Sequence, residues 1–119
     1  MSEKGSPHGR FQRAIERRNL LAAEAAAREL GGLNLPDALS LLLVIAPKEP
    51  ARFERAAIRW HGRFETETRG VGFAEAQVLL GALAALRDPA PALGLETIAR
   101  LAERLRVHSI ALQARKLHR

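Results

Sequence analysis

Arginine recurs at positions 52, 55, 59 and 63, in a stretch that also carries Phe53, the single tryptophan Trp60 and Phe64. Arginines beside exposed aromatic rings can form a stacking platform for nucleic-acid bases. Such a platform needs both kinds of side chain on one open face. At about 100° per residue on a helix, Phe53, Ala57, Trp60 and Phe64 share one direction, and the four arginines centre roughly 125° away. The spacing therefore predicts aromatic rings turned into a core and an arginine stripe along its edge, open to an acidic partner but not reading bases. Glu67 stands four residues after Arg63 and Glu49 three before Arg52, so some of these heads are expected to pair locally.

A second concentration of charge closes the chain. Arg104, Arg106, Arg115, Lys116 and Arg119 lie in the last sixteen residues without an acid. The rest carries 14 Lys or Arg against 13 Asp or Glu, so only +1 of the net charge of +6 lies outside this end. A basic end attracts polyanions such as RNA, DNA, acidic membranes or acidic proteins; a solvated tail is the plainer reading. Arg52, Arg55, Arg59, Arg63, Arg104, Arg106, Arg115, Lys116 and Arg119 are together the candidate contacts for an anionic partner.

Other reactive constellations do not assemble. His61 and Glu65 have the spacing of half a metal site, but no second ligand pair accompanies them, and an i,i+4 pair on one helix is the simpler reading. Ser40 sits in an apolar run, where its hydroxyl is expected to bond back to a carbonyl. Ser109 has only its neighbour His108 as a base, and adjacent residues diverge on a helix. Gly70-Val-Gly72 is a lone pair of glycines with no preceding strand. Cysteine and tyrosine are absent. The expectation is a protein without catalytic residues, metal or cofactor, and without an evident small-molecule substrate.

The elements that must position these residues read as helices throughout. Breaks fall at Gly31-Gly32, Pro47 to Pro50, Gly70 to Gly72 and Asp88 to Pro91. Segment 11–30 has an apolar face of Phe11, Ala14, Ile15, Leu21, Ala22, Ala25 and Ala26, with Arg18 in its middle unless the helix breaks near Asn19. Segment 36–46 opens on Asn34 and Asp37 and is apolar nearly all round, which predicts a central helix. Segment 50–68 carries the arginine stripe. Segment 73–87 has a broad apolar surface of Phe73, Ala76, Leu79, Leu80, Leu83 and Leu86. Helices over about 95–105 and 109–118 complete the chain.

Residues 35–42 align with 73–80, and 50–59 with 91–100. Periods near 40 residues belong to stacked helical hairpins. The expected fold is all-α: a compact stack of helical hairpins or an irregular bundle of five to six helices. Its parts would be a flexible N-terminal tail over 1–10, a helical domain over 11–105 and a basic C-terminal helix or tail over 106–119.

Two resemblances accompany this reading. Residues 97–116 resemble a bacterial helix-turn-helix, with Ala102 in the first helix, a turn ending in Val107 and a basic second helix. The sequence departs from that motif at Arg106, where glycine is usual, and in register. The motif turns Leu112 and Arg115 inward, whereas the segment's own apolar face is Ile110, Ala114 and Leu117. Residues 11–30, 37–42 and 52–61 are similar to short, all-helical, uncharacterised bacterial proteins, and 11–30 has a tetratricopeptide-like look. This implies an intracellular helical protein and supplies no activity.

The polar start, 1–10, lacks the apolar region of a secretory signal. The longest apolar run falls far short of the roughly 20 residues that span a bilayer. With no cysteine, a cytoplasmic location is expected. The function expected is a non-enzymatic helical protein–protein interaction module, whose partner is another protein or a second copy. The alternative is a nucleic-acid-binding protein that uses the basic end and the arginine stripe.

Overall fold

A computed structural model describes residues 5–88 and 90–118. The described chain is all-helical and forms seven helices: α1 (Pro7–Glu16), α2 (Leu20–Leu30), α3 (Leu35–Lys48), α4 (Pro50–Glu67), α5 (Phe73–Arg87), α6 (Pro91–Arg104) and α7 (His108–His118). Seven replaces the expected five to six because the first segment breaks at Asn19. The Asn19 side chain accepts from Ala22 N and starts a new helix. The break also resets the helical phase. Leu20, Ala23 and Ala26 turn inward on α2, and Leu21, expected on the apolar face, is 79 % exposed.

α1 begins at Pro7, capped by the Ser6 hydroxyl accepting from Gly9 N, so the first helix starts inside the stretch read as a tail. Residues 1–4 of that stretch lie outside the described residues. α6 likewise starts at Pro91, earlier than expected, because proline is well suited to a first helical turn.

α3 is the centre, in contact with α1, α2, α4, α5 and α7. Leu35, Leu39, Leu42, Val44, Ile45 and Ala46 are buried on it, as its lack of a polar face requires. α1 packs on α2, α3 on α4, α5 on α6 and α6 on α7. Phe53, Ala57, Trp60 and Phe64 all point into the core, with the Trp60 and Phe64 ring centroids 5.6 Å apart. The arginines of α4 therefore lie outside it.

α7 belongs to the same core, through buried Ile110, Ala111 and Ala114. Leu112 is 71 % exposed and Arg115 sits at the surface. The inward register is thus that of the segment's own apolar face, not the one a helix-turn-helix would use.

Candidate functional site: an apolar face rimmed by arginines

α5 carries apolar residues all round, more than one packed side can cover. Leu79, Ala82, Leu83 and Leu86 are buried. Phe73 and Leu80, which the sequence placed on the same apolar surface, are instead exposed: Phe73 by 95 % and Leu80 by half. Val78 is exposed beside them. At helical spacing Leu80, Phe73, Ala84, Gln77, Gly81, Ala74 and Val78 make one continuous outer stripe without a charge.

Two neighbouring helices widen it. On one side His61 Nε2 lies 2.9 Å from Ala76 O, and Arg87 Nη1 donates to Glu54 Oε2 at 3.4 Å. Exposed Ile58 on α4 and Leu80 on α5 both fall between these ties. On the other side Gly94 of α6 lets the helices approach closely: a Cβ there would stand 2.5 Å from Ala82 O. Leu93, also exposed, is its neighbour. A cleft of about 230 Å³ runs between α5 and α6, lined by Ala74, Val78, Thr97, Leu101, Arg100 and Arg104 among others.

The rim is positive. Arg55 lies about 60° round α4 from Ile58, is exposed and has no ion-pair or hydrogen-bond partner among the described residues; Arg59, equally exposed, lies on the far side of α4 beside Arg52 and Arg63. Arg104 has only Glu75 at 3.9 Å, and Arg100, although paired with Glu96 at 2.6 Å, has a side chain 75 % exposed. The nearby acids are already engaged. Glu75 accepts from its own backbone and from Gly72 N, which holds its carboxyl below the usual range. Glu54 meets Arg87, and Glu65 meets His61 Nδ1 at 2.8 Å.

The other expected contacts are not free cations on this face. Arg52 pairs with Glu24 and Glu49, and Arg63 with Glu67 and the Leu33 carbonyl. The two local pairs expected from spacing thus both form. Arg115 is clamped by Glu103 at 2.8 Å and Glu96 at 3.2 Å. Arg106 occupies the turn between α6 and α7, and Arg119 lies outside the described residues. Lys116 lines a different cleft, of about 450 Å³, between α1, α3 and α7. There Gln113 donates to the Ser40 hydroxyl at 2.6 Å, and Arg13, Arg18 and Lys116 line the cleft together with Glu16 and Asp37. That mixed lining favours no one class of ligand.

His61 and Glu65 form an i,i+4 pair, and no group of three potential metal-ligating side chains occurs among the described residues. Nor is any described helix long and apolar enough to cross a membrane. Compared with protein-family models, curated proteins and solved structures, the chain matches none.

Proposed function

We propose that the protein is a non-enzymatic helical interaction module that docks another protein on the α4–α5–α6 face. One observation carries this reading. Of the eight large apolar side chains exposed among the described residues, Ile58, Phe73, Val78, Leu80 and Leu93 fall on this one face. Scattered exposed apolar residues are ordinary, whereas a contiguous patch with a polar rim is the mark of an interaction surface. The scaffold reads as a short stack of helical pairs, in which each pair buries a face on the next and α5 keeps one side without a neighbour. A cytoplasmic location suits a chain without cysteine.

The experiment compares immobilised wild-type protein with the Phe73→Ser/Val78→Ser/Leu80→Ser variant in cell extract, half of it nuclease-treated. Wild type should retain discrete proteins in both halves, and the variant should lose them. Retention that disappears with nuclease, falls steeply with salt and ignores the three substitutions would support the nucleic-acid reading instead.

A further inference from the structure

We infer that the occupant of this face is an acidic amphipathic helix from another protein chain. The inference rests on the docking reading above and adds the chemistry of the partner. The stripe on α5 is uncharged from Phe73 to Ala84, about 18 Å at 1.5 Å per residue, so its contact is mainly apolar. Charge then decides what flanks that contact. Arg55 stands on the α4 side, Arg100 and Arg104 on the α6 side, and the carboxylates between them are held by groups of this chain. A helix with leucine-like residues at i, i+3, i+4 and i+7 fills such a face, and acids on its flanks meet the cations on both sides. A chain of net charge +6 meets a second copy of itself with like rims, which costs affinity and slows association. Nucleic acid would stack bases on exposed rings, whereas four of the five large apolar side chains here, Ile58, Val78, Leu80 and Leu93, are aliphatic. Ala74, Gly81 and Ala84 between the bulkier side chains leave room for a helix backbone to come close.

The probe is a fluorescein-labelled peptide of the length of α5, built of Leu and Glu at amphipathic helical spacing. Controls are the same pattern with Gln or Lys for Glu, and a scrambled Leu/Glu sequence. Fluorescence anisotropy follows binding, and sedimentation follows self-association. The Leu/Glu helix should bind tightest. Its affinity should fall about tenfold or more with Phe73→Ser, and again with Arg55→Glu/Arg104→Glu, while circular dichroism shows each variant folded. Equal or tighter binding of the Gln or Lys helix, still lost with Phe73→Ser, overturns the acidic partner and leaves the docking face standing. A dimer that depends on Phe73, with no peptide bound, makes a second copy the occupant and overturns the inference. No binding and no self-association would remove both readings.

Discussion

The indole N–H of Trp60 donates to the carbonyl oxygen of Leu35 at 2.9 Å, tying the middle of α4 to the first turn of α3. The bond satisfies the one polar atom of a side chain only 2 % exposed, and it fixes which way α4 is rolled. That roll sends the aromatics inward and leaves Arg55, Ile58 and Arg59 outside. Trp60→Ala should cost roughly 3–5 kcal/mol, the usual range for truncating a large buried ring. Trp60→Phe should cost less, with about 1 kcal/mol coming from the lost hydrogen bond. Urea melts check both, and coincident curves for Trp60→Ala and wild type would contradict this packing.

Two arginines adopt the left-handed backbone at tight helix–helix turns, Arg18 at φ 54° and Arg106 at φ 63°. In each turn the next residue's N–H reaches back to a carbonyl five residues earlier, Asn19 to Ala14 and Val107 to Ala102. Gly31 makes the corresponding turn after α2 at φ 77°. A side chain in this conformation is strained by about 1 kcal/mol or more. Arg18→Gly and Arg106→Gly should therefore each stabilise the fold, by about 0.5–1 kcal/mol after glycine's entropic cost. A clear loss of stability in either variant would show that the arginine side chain holds its turn by contacts.

Gly94 and Gly81 test the α5–α6 contact from opposite sides. A methyl at Gly94 meets Ala82 O at 2.5 Å and Leu86 Cδ2 at 3.0 Å, whereas at Gly81 it meets nothing within 4 Å. Gly94→Ala should destabilise by about 1–3 kcal/mol through overpacking. Gly81→Ala, on an exposed helix interior, should stabilise by about 0.5–1 kcal/mol. Thermal melts that rank the two variants the other way would place α6 wrongly against α5.

Acid should loosen the α6–α7 pair. The hydrogen bond from Arg115 holds the Glu103 carboxyl below its usual range, and the bond from Arg100 does the same for Glu96. A depressed folded-state pKa contributes stability that is present above the ordinary value of 4.5 and lost as pH falls through the lowered one. The melting temperature of Glu103→Gln should lie below that of wild type near neutral pH, and the gap should narrow as the pH falls below 4.5 and through the lowered value. A gap that stays constant with pH would mean the Arg115 clamp does not contribute.

Much of the scaffold was legible in the residues. The apolar run of α3 required a central helix, the four-three-four spacing on α4 required buried aromatics, and glycine and proline marked the joints. The break at Asn19 was foreshadowed by Arg18, which a continuous helix would place in the middle of the apolar face, and the Asn19 cap confirms it. The C-terminal segment looked like a separable basic end because its five cations stand out in sequence. Its Ile110, Ala111 and Ala114 nevertheless complete the core between α3 and α6. The exposed apolar face was the least legible part. An all-round apolar helix reads as core whether it is central, like α3, or at the edge, like α5. Only the arrangement of neighbours separates the two. The arginine stripe was visible, but which arginines are free depended on acids distant in sequence, such as Glu24 beside Arg52.

The chain's four phenylalanines offer the most direct test of the docking face. Phe11, Phe53 and Phe64 are buried, and Phe73 is exposed. Uniform labelling with 4-fluorophenylalanine gives one fluorine resonance for each, read in the presence and absence of the Leu/Glu helix or of a captured partner. The account expects three resonances shielded from solvent and unmoved by the partner. The fourth, absent in Phe73→Ser, should sit near the free amino-acid position and shift or broaden on binding. A Phe73 resonance that is shielded from the start, or that stays still while a partner binds, would contradict the account.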